Sequence, residues 1–260
     1  MADQDEVLEQ LTALSHHLGD PARDYAILGE GNTSARVDEE TFYVKASGHH
    51  LGTITPAGFC LVGLNRVLSV FDGEPITDSE VKELLLASRI DAGNAVMPSV
   101  ETFLHAYLLT LPGIEFVGHT HPTAINSILC ARGGREALAG RLFPDEIVCC
   151  GVAPCYVEYV DPGVTLALHL RRRVGEYIER YNENPKTIWM ENHGFIALGR
   201  TPRDIETITA MAVKTARILA GTFALGGPKF LTDAHVDRIH TRPDEHYRQR
   251  QLGARAGSAQ

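Results

Sequence analysis

The sequence predicts a single α/β domain organised around a sheet. Three observations carry that expectation. Segments with apolar residues at helical spacing interleave with short runs of alternating or β-rich character along the chain. No internal repeat and no linker divides it. A chain of 260 residues with 44% hydrophobic content supports a substantial core.

Val7, Leu8, Leu11, Leu14 and Leu18 recur at helical spacing and stop at Gly19-Asp20-Pro21, so an amphipathic helix opens the domain. The stretch Gly29-Glu30-Gly31-Asn32-Thr33-Ser34 resembles part of a dinucleotide-binding glycine motif, but that motif must open a helix. Here residues 35–46 alternate around Asp38-Glu39-Glu40 and read as a hairpin. Residues 78–91 predict a second amphipathic helix, and 99–111 a third with Ser99 as its N-cap after Pro98. Ile114 to Val117 reads as a strand running into His119-Thr120-His121-Pro122, followed by a helix over 122–131. Residues 146–151 read as a buried strand, 163–181 as a long helix, and 186–199 as two strands meeting at Asn192-His193-Gly194. Residues 202–225 form the last long helix. The domain is expected to occupy residues 1–232, with a polar tail over 233–260.

A net charge of −9 argues against a nucleic-acid or anionic-membrane partner, both of which select basic patches. There is no run of about 18 apolar residues, and the acidic start does not read as a leader. A cytoplasmic location is the expectation. The five cysteines include adjacent Cys149 and Cys150 and no CxxC pair, so they read as small core residues.

The chemistry concentrates in histidines. Side chains two apart on a strand share a face, so His119 and His121 converge. Such a pair is either two metal ligands awaiting a third donor or two hydrogen-bonded surface rings. His193, by itself an ordinary turn residue, is the candidate third donor, and three histidines leave one position of a tetrahedral ion open for substrate. Glu101 and His105 lie four apart on the 99–111 helix. Glu101 either complements the helix dipole or moves a proton beside a metal-bound carbonyl compound. His105 reads as a packing residue with Glu101 as its partner.

These residues together are similar to the class II aldolase/adducin family. Gly31-Asn32-Thr33-Ser34, Ala46-Ser47-Gly48, Pro98-Ser99-Val100-Glu101, His119-Thr120-His121-Pro122 and Asn192-His193-Gly194 occur in that family's order, over roughly residues 7–225. The family includes fuculose- and rhamnulose-phosphate aldolases, ribulose-phosphate 4-epimerases, methylthioribulose-phosphate dehydratases and the catalytically inert adducin head. The resemblance implies a three-layer α/β/α domain around a central, mostly antiparallel sheet, assembled as a homotetramer. It implies zinc, or a similar divalent transition metal, on His119, His121 and His193, with Glu101 as the acid/base carboxylate. It also implies a pocket for a substrate phosphate at Gly31, Asn32, Ser47, Gly48 and Ser99, where small residues let backbone N–H groups approach an anion. Lys45, beside that pocket, is either an added cation or an exposed strand lysine.

Two departures from the family stand out. Val100 replaces a frequent second serine, and "LFPDEIVCCG" stands where the fuculose-type enzyme supplies a tyrosine from a neighbouring subunit. The donor to the departing oxyanion then has Asp145, Glu146, His240, His246 and Tyr247 as candidates, each equally suited to a surface role. The activity expected from the resemblance is an aldolase that cleaves a ketose 1-phosphate to dihydroxyacetone phosphate and an aldehyde through a metal-stabilised enediolate. A pentulose-phosphate 4-epimerase, a dehydratase or decarboxylase, and a non-catalytic adducin-like module are the alternatives. Glu101 in place of an aspartate counts against the epimerase, and the three retained histidines count against the inert module.

Overall fold

A computed structural model describes residues 3–73, 76–90 and 96–244. The chain runs α1 (Gln4–Leu18), β1 (Asn32–Arg36), β2 (Thr41–Lys45), β3 (Phe59–Gly63), α2 (Leu64–Leu68), α3 (Asp78–Ser88) and α4 (Thr102–Leu109). It continues through β4 (Phe116–Thr120), α5 (Thr123–Leu129), α6 (Gly134–Ala137), α7 (Pro144–Cys150), β5 (Cys155–Val157) and α8 (Val164–Tyr181). β6 (Thr187–Met190), β7 (Gly194–Gly199), α9 (Pro202–Thr222) and α10 (Asp233–Thr241) follow.

The strands form one sheet in the order β3-β2-β1-β4-β7-β6-β5. Every pairing is antiparallel except β5 with β6. Because successive strand residues point to opposite faces, each strand feeds two cores. Phe195 and Ala197 of β7 join one with Leu11 of α1, Ile125 of α5 and Ile205 of α9. Ile196 and Leu198 join the other with Leu104 of α4 and Leu170 of α8. Helices therefore cover both faces, giving the three-layer α/β/α sandwich expected from the resemblance. Each fully buried Leu, Ile or Phe contributes roughly 1.5–3 kcal/mol, so the ends of the central strands are held on a rigid frame. Among the described residues, only the segment Pro202–Leu225 is long and apolar enough to cross a membrane by length and composition. Its Ile205, Ala212 and Ala216 are fully buried in the core of the sandwich.

The structure corrects the sequence reading in several places. Residues 146–151 are not a strand. They belong to α7, which starts with Pro144 in its first turn, carries Asp145 and Glu146 where the helix dipole favours negative charge, and ends at Gly151 with φ of 82°. The edge strand of that region is β5 instead. Ser99 is not the N-cap of α4: the α-helical turn begins three residues later, and Glu101 occupies the cap position without a capping hydrogen bond. The predicted polar tail begins as a helix, α10, whose Thr232 side chain accepts a hydrogen bond from His235 N–H and whose Val236 is buried. His246 and Tyr247 lie outside the described residues.

Candidate active site

His119 lies at the end of β4 on the face that also carries Val117, and His121 follows just beyond the strand. Their rings converge as a period of two requires, with centroids 4.7 Å apart and Nε2 atoms 3.0 Å apart. The turn between β6 and β7 delivers His193. Asn192 takes a left-handed conformation there (φ 50°), and the His193 N–H donates to Met190 O at 3.2 Å. From α5, the Asn126 side-chain amide donates to His193 O at 3.1 Å, pinning the turn from outside. A side chain at Gly194 would meet His121 Cδ2 at 2.6 Å and Thr120 O at 2.7 Å, so the crossing of the histidine strands requires glycine. The His193 ring lies 5.1 Å and 5.2 Å from those of His119 and His121.

One ring nitrogen from each histidine lies within 4.8 Å of the other two. His119 Nδ1 faces Phe195 O at 3.0 Å, so it carries the proton and leaves the Nε2 lone pair for the cluster. Burial lowers the pKa of His119 to about 4 and of His121 to about 3. Both are neutral at ordinary pH, the form in which imidazole ligates metal. Three converging imidazoles with an adjoining carboxylate fit a divalent transition ion.

That carboxylate is Glu101. Its Oε1 lies 3.0 Å from His193 Nε2, and its Oε2 lies 3.5 Å from His119 Nε2. The Asn32 amide donates to Oε2 at 2.6 Å. Burial alone would raise the Glu101 pKa; His119, His193 and the Asn32 hydrogen bond reverse this and hold it well below the usual carboxylate range. The ring partner expected for Glu101 is not the one found. His105 is fully buried, but it bonds to Ser34 Oγ at 2.7 Å and to Asn32 Oδ1 rather than to the Glu101 carboxylate.

The residues expected to hold phosphate are brought together on the same side. A bridge between Ala46 and Pro98 sets the Ser47-Gly48 turn against Ser99. Gly31 (φ 66°) passes so close to β4 that a Cβ would stand 2.5 Å from His119 O. Asn32 joins the two halves, because its amide also reaches Ser99 Oγ at 3.4 Å. The Ser47 N–H is engaged with Met97 O at 2.8 Å, so that amide does not face an anion. Lys45 is not an exposed strand lysine: it is 2% exposed, and its Nζ reaches Gly29 O and Ala46 O, each at 3.5 Å. Burial lowers its pKa, and Glu101 partly restores it.

Two candidates for the second proton donor are already engaged elsewhere. Glu146 is buried in an ion pair with Arg141 at 2.8 Å and accepts from Leu142 N–H at 2.8 Å. His240 lies 3.2 Å from Glu183, and Asp145 sits in the first turn of α7. A cleft of about 380 Å³ opens beside His121, lined by Asp24, Ile27, Glu30, Thr123 and Asn126 among others. Sequence reasoning gave Ser34 no role. The signal was its place two residues after Asn32 on one strand, which puts both side chains on one face.

Comparison with known proteins agrees with this geometry. The chain matches the Class II Aldolase and Adducin N-terminal domain family over residues 9–220. It is 31% identical over 202 residues to the "Uncharacterized oxidoreductase YuxG" of Bacillus subtilis (strain 168), covering 75% of this chain. The match spans only 27% of that relative's length. It is 26% identical over 203 residues to the methylthioribulose-1-phosphate dehydratase of the same organism, covering 77% of this chain and 86% of that protein. The solved structure of an L-fuculose 1-phosphate aldolase superposes with a TM-score of 0.66 at 17% identity, covering 92% of this chain and 96% of the other. With a histidine triad that can bind metal and a match covering most of its length, the chain belongs to the class II aldolase and adducin N-terminal domain family.

Proposed function

We propose that the protein is a metal-dependent carbon–carbon lyase that cleaves a ketose 1-phosphate to dihydroxyacetone phosphate and an aldehyde. The observation that carries this reading is the Glu101 carboxylate, buried and ionised, standing 3.0 Å from His193 and 3.5 Å from His119 at the mouth of the triad. His119, His121 and His193 would hold a zinc-class ion, which would supply Lewis-acid polarisation of the substrate carbonyl. Glu101 exchanges the proton on the carbon that becomes nucleophilic. In the cleavage direction the C3–C4 bond breaks, the C4 hydroxyl gives up its proton to water as the aldehyde leaves, and the Glu101 carboxylate takes up a proton from water and delivers it to C3. Asn32 keeps Glu101 oriented, while Gly31, Ser47, Gly48 and Ser99 frame the phosphate and the buried Lys45 ammonium offsets its charge. The phosphorylated-sugar names of the dehydratase relative and of the aldolase structure support that substrate class.

A second reading, dehydration of a ketose phosphate, draws on the dehydratase that this chain matches over 86% of that protein's length. It needs the same proton removal and ends in loss of water. Product analysis on a panel of ketose 1-phosphates separates the two. An aldehyde with dihydroxyacetone phosphate supports cleavage; a dehydrated diketo phosphate with no aldehyde replaces it with the second reading.

A further inference from the structure

Behind Glu101 lies a chain of buried side chains that the proposed reaction does not by itself require. Ser34 and His105 are 0% exposed, Asn32 is 3% exposed and Glu101 9%. Ser34 Oγ lies 2.7 Å from His105 Nδ1, His105 Nε2 meets Asn32 Oδ1, and Asn32 Nδ2 lies 2.6 Å from Glu101 Oε2. We propose that His105, backed by Ser34, is a positioning residue that locks the Asn32 amide and through it the Glu101 carboxylate.

The polarity of the chain follows from which atoms can donate. An ionised carboxylate accepts only, so the Asn32 group facing Glu101 is the NH₂. The amide oxygen is then the atom facing His105, and it also accepts only. His105 Nε2 must therefore carry the proton. Nδ1 of the neutral ring is left as an acceptor, and the Ser34 hydroxyl donates to it. Each link fixes the next in one direction.

The alternative is costly. If His105 took the other tautomer, its Nε2 lone pair would face the amide oxygen, and Asn32 would gain by flipping. A flipped amide would set Oδ1 against Glu101 Oε2 at hydrogen-bond distance, two acceptors with no proton between them. The Ser34 hydroxyl can donate or accept, so the sense of the chain is set from the Glu101 end, and Ser34 satisfies the Nδ1 lone pair that this sense leaves. Burial holds the His105 pKa down at about 4, with Glu101 opposing that shift and Lys45 adding to it, so the ring stays neutral and the polarity stays fixed.

The effect on turnover rests on the acid/base reading of Glu101; the tautomer does not. Imidazole ¹⁵N spectra of the wild type, with His105 assigned by its absence in His105→Gln, should show a neutral ring protonated at Nε2. A ring protonated at Nδ1, or at both nitrogens, overturns the proposal. Proton exchange from dihydroxyacetone phosphate in deuterated buffer tests the consequence. In His105→Leu the exchange rate should fall about tenfold or more, with apparent affinity for dihydroxyacetone phosphate within about threefold of wild type and metal content retained. His105→Gln, whose amide can still donate to Asn32 Oδ1, should restore most of the rate, and Ser34→Ala should fall between. A His105→Leu protein that exchanges at the wild-type rate, or leucine and glutamine variants that fall equally, would contradict the lock. Should the leucine variant not fold, Ser34→Ala against wild type decides, an unchanged rate contradicting the lock. If wild type shows no exchange, it is the acid/base reading of Glu101 that fails, and the imidazole spectrum still decides the tautomer.

Discussion

At the Glu101 end of the pocket the polar side chains are buried and have named partners: Ser34, His105, Asn32 and the triad. At the Ser47 end, Ser47 and Gly48 are exposed, and the Ser47 amide is turned to Met97. The first region is rigid before substrate arrives, held on the ends of β1, β4 and β7. The second is an exposed turn at the end of a strand, made of small residues. The difference teaches where specificity and rate reside. Changes at the buried end should alter chemistry, and changes at the open end should alter binding.

The largest expected effect breaks the buried end outright. His193→Ala leaves two imidazoles, and bound metal measured by elemental analysis should drop from one ion per chain to near zero with all turnover. Full stoichiometry in that variant would take His193 out of the metal site.

The next effect concerns pH and needs no substrate. In the unfolded chain histidines take up protons near 6.5, whereas His119 and His105 in the folded, metal-free protein resist protonation until about 4. Their folded pKa values are depressed, so the stability they contribute is fully present above about 6.5 and is lost as pH falls towards about 4. The loss should be on the order of 3 kcal/mol for each such buried ring. Denaturant unfolding of metal-stripped protein across that window measures it; a flat profile would mean that the rings are not held neutral.

The smallest of these effects sharpens the comparison at the anion side. Lys45 is the one buried charge expected to serve binding, so Lys45→Met should raise KM for a phosphorylated substrate by about ten- to a hundredfold and leave kcat within a few fold. Equal KM values for the two proteins would return Lys45 to a purely structural role.

Much of this was legible in the sequence because the relevant spacings are short. His119 and His121 sit two apart on a strand, and Asn192-His193-Gly194 marks a tight turn, so local rules brought both to the right elements. The hairpin of β1 and β2 and the helices α1, α3, α8 and α9 were legible from periodicity in the same way. What was not legible depends on distant partners. Residues 146–151 are apolar enough for a buried strand, and only Pro144 with the acidic residues after it argued for a helix. His105 lay at the right spacing for Glu101, yet its partners came from β1, more than seventy residues earlier. For Lys45 the sequence leaves an added cation and an exposed strand lysine open, and only the Ala46–Pro98 bridge and the Gly29 loop show it enclosed. Pairings across the sheet set these environments, and no local window contains them.

The central claim is that Glu101 moves a carbon-bound proton beside a metal held by the three histidines. The most direct measurement is exchange of one hydroxymethyl proton of dihydroxyacetone phosphate in deuterated buffer, with no aldehyde present, comparing zinc-loaded wild type with Glu101→Gln. The account predicts exchange in the wild type and a loss of about 10²–10⁴-fold in the variant, with zinc retained because the histidines remain. Exchange at the wild-type rate in Glu101→Gln would contradict it, as would a zinc-loaded wild type that exchanges no proton at all.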